Sequence, residues 1–186
     1  NALVDLIAGV RPGSHTAGEQ IQVGVSHARE PLDRAPGERI AALVERTGAG
    51  TQALAPDAAA RACNTIVLAV PWFAVEATVK SFGDLAGKLI VDVTNPLSFR
   101  DNIVVGAEVP ANSGAEFIQS LAPGARVVKA FNTIYYTVMA VPETAGGSVS
   151  VLISGDDAGA KARVAKLASG IGFEPVDVGA LSTARY

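Results

Sequence analysis

Cysteine is nearly absent from this sequence. Cys63 is the only one, so no internal disulfide can form. It follows Ala62 and precedes an apolar run, which reads as a packed small side chain rather than a nucleophile. Histidine is equally scarce. His15 and His27 stand too far apart for a metal cluster, and no metal site is expected. Aromatic residues make up 5 % of the chain, so its core must come from Ala, Val, Leu and Ile. A net charge of -3 leaves no basic stripe for nucleic acid. No apolar run is long enough to span a bilayer, and no secretory segment is visible, so a cytoplasmic protein is expected. Paired carboxylates in a special setting, a G-x-S-x-G elbow and metal-ligand spacing are all missing, which argues against hydrolytic or metal chemistry.

What is present is a core and an alternation. Hydrophobic residues form 49 % of 186, enough for one domain and too many for disorder. "NALVDLIAG" is an amphipathic helix with Asn1 as N-cap and Gly9 as C-cap. "VRPGSHTAGEQ" is a loop. "IQVGVS" (21–26) is a strand, and "RIAALVERTG" (39–48) a helix stopped by Gly48. "TQAL" reads as a short strand, and Asp57 as the cap of "AAARAC". "TIVLAV" (65–70) is a continuous apolar run, as for a strand buried on both faces.

The helix "PWFAVEATVKSF" follows, then the strand "KLIVDVT". A loop with Pro110 and Gly114 leads to the helix "GAEFIQSLA" and the strand "RVVKAF" (126–131). "NTIYYTVMAVPETAGG" is mixed. "SVSVLISG" is a strand, "DAGAKARVAKLASGIG" a helix with Ala and Lys outward, and "EPVDVG" the last strand. Short connections between such elements predict a doubly wound, mostly parallel α/β sheet forming one domain over 1–186.

In a parallel sheet the strand ends share one edge, where open α/β folds bind ligands. "TIVLAV" ends at Pro71-Trp72, "LIVDV" at Thr94-Asn95-Pro96, "RVVKAF" at Asn132-Thr133, and "IQVGV" at Ser26-His27 with Arg29 beyond. Each turn could simply satisfy its own backbone. Two asparagines at two strand ends favour a shared site. At the end of the second strand an acid would hold the 2′-hydroxyl of NAD, and a cation suits the 2′-phosphate of NADP. Here stand a hydroxyl, an imidazole and a guanidinium, although Glu30 could pair with Arg29. Lys129, inside "VVKAF", could be a buried catalytic group, but the commoner reading is a side chain reaching an edge or pairing with a carboxylate, with Asp92 the candidate partner. No phosphate loop is visible, since "TGAG" (47–50) follows a helix rather than opening one. Such a site orients cofactors that carry the chemistry, as hydride transfer requires.

"TIVLAVPW", "GKLIVDVTNPL", "ARVVKAFNT", "VLISGDD" and "GFEPVDVGALSTARY" resemble, in order and spacing, the coenzyme F420-dependent NADP oxidoreductase family. The resemblance is good over residues 60–186 and weaker over 21–50. It implies an NADP-binding Rossmann domain that passes a hydride to a deazaflavin (F420) or a flavin such as FMN or FAD; some relatives are the cytosolic domains of metalloreductases. It implies that Ser26, His27 and Arg29 lie at the 2′-phosphate, and that Val70, Pro71 and Trp72 border the dinucleotide. Thr94, Asn95 and Pro96 then lie beside the nicotinamide, with Ala130, Phe131 and Asn132 on its far side. No catalytic acid or base is implied. A small-molecule acceptor and a homodimer are implied as partners.

The family opens on a strand and G-x-G-x-x-G, whereas this sequence opens where the next helix would start. Both ends of the fold are therefore expected to lie outside it. A chain without that strand would lose the center of its sheet and its phosphate cradle, and is not expected to bind NADP tightly. A dinucleotide-binding module without turnover is the competing reading. A hydroxyacid or imine dehydrogenase would need a large helical domain for which the chain is too short.

Overall fold

The computed structural model describes residues 21–25, 44–45, 54–100, 103–139, 142–144 and 146–185. Its center is a six-stranded sheet in the order β1-β2-β3-β6-β9-β10. β1 is Ile21–Val25, β2 Thr65–Ala69, β3 Leu89–Asp92, β6 Arg126–Lys129, β9 Ser150–Gly155 and β10 Glu174–Gly179. β1, β2, β3 and β6 run parallel to one another. β9 reverses against β6, and β10 runs parallel to β9. The mostly parallel, doubly wound sheet expected from the apolar runs is therefore present. The described sheet has no gap at its center, because β1 pairs β2 directly from Ile21↔Thr65 to Val25↔Ala69.

Alternation along the strands divides the core in two. Val67, Val91 and Val128 face one way, under helix α5 (Ala158–Gly170), and pack with Val164 and Ala168. Ile66, Leu68, Ile90 and Val127 face the other way. There they meet α1 (Pro56–Ala62), α2 (Val75–Ser81) and α3 (Gly114–Leu121) through Ala60, Val75, Val79, Ala115 and Ile118. Burial on both faces is what the continuous apolar strands required.

The helices start where local chemistry satisfies their free N–H groups. Ser113 caps α3: its Oγ accepts from the Glu116 N–H at 3.2 Å and donates to the Glu116 carboxylate at 2.8 Å. Asp157 caps α5 by accepting from the Ala160 N–H at 2.7 Å.

Several expectations are corrected. Asp57 is not a cap: Ala55 holds that position and Pro56 opens α1, where proline's missing N–H costs nothing. Asp57 instead accepts from Arg61 one turn on, at 2.8 Å. The outward alanines of α5 are partly inward, since Ala160 and Ala168 are buried and let the helix lie close to the sheet. Leu54, taken as part of a short strand, is not in one. The loop after Pro96 contains an antiparallel hairpin, β4 (Leu97–Arg100) with β5 (Ile103–Gly106), closed where the Ala107 N–H donates to the Pro96 carbonyl at 2.9 Å. The mixed segment holds a short helix, α4 (Tyr136–Met139), and the pairing of β7 (Glu143–Thr144) with β8 (Gly147–Ser148). The helix at 1–9 and most of that at 39–48 lie outside the described residues.

Candidate functional site at the strand ends

β2, β3 and β6 are adjacent and parallel, so their ends meet. The ladder also sets what lies beneath. Leu68, Asp92 and Lys129 fall on one line across the three strands. Cross-strand neighbours in register share a face, so Asp92 and Lys129 must meet. Lys129 Nζ donates to Asp92 Oδ2 at 2.9 Å. Neither side chain is more than 6 % exposed. Of the readings left open for Lys129, the structure shows the pairing with a carboxylate.

The rest of this buried network closes on Thr94. Asp92 Oδ1 accepts from the Thr94 N–H at 2.8 Å and from its hydroxyl at 2.7 Å. Lys129 Nζ also donates to the Thr94 carbonyl. The aspartate thus forms a turn with the residue two positions on, a device typical of short polar side chains. The D-x-T spacing in "VDVTNP" was the sequence signal for it.

Above the ion pair lies an amide clamp. Asn95 Nδ2 donates to the Asn132 carbonyl at 2.9 Å, and Asn132 Nδ2 donates to Asn95 Oδ1 at 3.3 Å. Both residues are half-buried. Phe131 precedes Asn132 and turns the chain after β6. Its φ of 65° is the one positive value at a non-glycine among the described residues. Such a backbone costs about 1–3 kcal/mol and persists where its surroundings enforce it. Here the enforcement is burial: Phe131 is 1 % exposed and meets Phe173 edge-on, with ring centroids 5.9 Å apart.

Trp72 forms a wall from the β2 side, in the short 3-10 turn Trp72–Ala74 that precedes α2. Its ring tilts against Phe117, centroid to centroid 5.9 Å. Gly114 lies so close that a Cβ there would stand 3.1 Å from the indole and 3.8 Å from Pro96. Glycine is needed here for approach, not for backbone freedom.

Val70, Pro71, Trp72, Thr94, Asn95, Pro96, Ala130, Phe131 and Asn132 therefore lie at adjoining strand ends. Their parts differ. Thr94, Ala130 and Phe131 are buried supports, and the Ala130 N–H donates to the Asp92 carbonyl at 3.1 Å. Asn95, Asn132, Pro96 and Trp72 are half-buried. Ser26, His27 and Arg29 lie outside the described residues. Phe117 and Gly114 were not foreseen, because only the fold brings α3 to the Trp72 ring.

Asn132 Oδ1 and the Thr133 hydroxyl have no partner among the described residues, and a primary amide presents both donors and an acceptor. Asp92 and Lys129 beneath the clamp pair with each other. Among the described residues no group of His, Cys, Asp and Glu could hold a metal ion, and no helix is long and apolar enough to cross a membrane.

The mostly parallel sheet with flanking helices is a Rossmann-like α/β fold. Within that class the likeness is to NADP-dependent oxidoreductases. Residues 10–96, just under half of the chain, match the family described as "NADP oxidoreductase coenzyme F420-dependent". That bears out the resemblance seen in the strand-end motifs and extends it toward the N-terminus.

Two solved structures are similar. One is a hypothetical protein from Sinorhizobium meliloti, 28 % identical, covering 97 % of this chain and 80 % of that one, with a TM-score of 0.75. The other is a candidate F420-dependent NADP-reductase from Arthrobacter sp. FB24, 37 % identical, covering 71 % and 62 %, with a TM-score of 0.65. Metalloreductase STEAP3 of Rattus norvegicus is 41 % identical over 102 residues, which is 54 % of this chain and 19 % of that protein. The chain thus spans about a fifth of the metalloreductase.

Proposed function

We propose that the protein transfers a hydride between NADP(H) and a deazaflavin (F420) or flavin-type acceptor, FMN or FAD. The observation that carries this reading is the Asn95–Asn132 clamp at the shared strand edge. It offers hydrogen bonds to a ring carboxamide and holds no group able to exchange a proton with a substrate. NADP(H), when bound, supplies or accepts the hydride. The chain's own residues orient and enclose. Asn95 and Asn132 set the angle of the ring, an effect that rests on geometry rather than on acid–base chemistry. Trp72, Pro71 and Pro96 wall the rim and limit water. Ser26, His27 and Arg29, just past β1, take the adenosine 2′-phosphate, for which a guanidinium is the better partner.

A cytoplasmic homodimer acting on a small-molecule acceptor belongs to the same reading, with neither nucleic acid nor membrane as partner. Size-exclusion chromatography with light scattering tests the dimer.

The deciding experiment is titration of the full-length protein with NADPH and NADH. Trp72 is the sole tryptophan of the sequence and stands at the proposed ring site, so its emission reports binding. Selective NADPH binding, weakened by about 1–3 kcal/mol in Arg29→Ala with NADH unchanged, is the expected result for a charge-assisted phosphate contact. F420, FMN and FAD are then screened as acceptors by rapid mixing. No binding of either nucleotide would end the oxidoreductase reading.

A further inference from the structure

We infer that the buried Asp92–Lys129 pair is a positioning device for the Asn95–Asn132 clamp, not a brace of the sheet. Its kinetic consequence rests on the reading of that clamp as the ring site.

The pair occupies the last register of both strands, since β3 ends at Asp92 and β6 at Lys129. The ladder below already holds those strands together, from Leu89↔Arg126 onward. What the two side chains add lies at Thr94. All three of its polar groups, N–H, hydroxyl and carbonyl, are taken by them. Thr94 is thereby held on both sides, through the N–H of the peptide before it and the carbonyl of the peptide that leads into Asn95. The clamp's other half is set by the left-handed Phe131, which lies two residues after Lys129 and directs the Asn132 carbonyl to the Asn95 carboxamide. Asp92 and Lys129 do not reach the rim, so they act through Thr94 and Asn95. A buried ion pair is weak support for stability, because apolar residues of similar size often replace one at no loss. Stability alone therefore does not account for it.

That property makes the test clean. Asp92→Leu/Lys129→Met removes both charges together and leaves no buried ion unpaired. Three quantities are read: the cooperative thermal melt, proton exchange of the Asn95 carboxamide in the ligand-free protein by NMR, and single-turnover hydride transfer with NADPH. The expected result is a retained melt, exchange about ten-fold faster, and transfer slowed about ten-fold with NADPH affinity little changed, as for a misplaced reacting group. A folded double variant with unchanged exchange would overturn the inference. Should the double variant fail to fold, Thr94→Val is the second arm. It removes one hydroxyl bond to Asp92 and should speed exchange at Asn95, and unchanged exchange there would equally overturn the inference. If the wild-type protein binds no NADPH, the nucleotide reading falls, while the exchange measurement still decides the positioning role.

Discussion

The Asn95 carboxamide reaches across 37 residues of sequence to donate to the Asn132 carbonyl at 2.9 Å, and the Asn132 carboxamide answers at 3.3 Å. The two side chains stand at the ends of neighbouring parallel strands, so neither can turn without loosening the other. Asn95→Ala should therefore slow hydride transfer more than it weakens NADPH binding. A loss of about ten- to a hundred-fold in the single-turnover rate is expected for a ring held off its productive angle. An unchanged rate would return Asn95 to the role of a turn residue.

Gly114→Ala tests the wall. The added methyl would meet the Trp72 ring at 3.1 Å, and Phe117 limits the ring's retreat. Overpacking of this kind typically costs about 1–3 kcal/mol. Thermal melts should show that loss, and the Trp72 emission maximum should move. An unshifted emission spectrum would mean that the indole has room the contacts do not show.

Cys63 gives a pH dependence. Burial pushes its thiol above the ordinary value of 9.0, and the nearby Lys88 ammonium opposes this only in part. The folded protein thus holds that proton more tightly than the unfolded chain. The associated stability is fully present below the unfolded value and declines as pH rises through the folded one. Melting temperature should accordingly drop as pH rises past the ordinary thiol value, and less so in Cys63→Ala. Alkylation of the native thiol should be slow near neutral pH and fast in denaturant. Rapid native alkylation would contradict the buried placement.

Much of this was legible in sequence. "TIVLAV", "LIVDV" and "RVVKAF" are continuous apolar runs, and only a sheet covered on both faces buries every residue of such a run. Their alternation with helices made them parallel, and parallel strands place Trp72, Asn95 and Asn132 along one edge. The hairpin over 97–106 was not legible, because Leu97, Ile103 and Val104 are exposed and no core imposes a period on them. Nor was the reversal of β9, since chain direction is decided by the connection and not by the strand.

The sequence by itself determined the buried strands β2, β3 and β6 and the polar groups at their ends, because period and turn chemistry are local properties. Tertiary structure alone decided the partners. Asp92 meets Lys129 because one register of β3 on β6 puts residues 92 and 129 side by side, and a slip would part them. Phe131 adopts a backbone that phenylalanine otherwise avoids because burial against Phe173 outweighs the strain. Both are consequences of contacts between segments far apart in the chain, which no local pattern encodes.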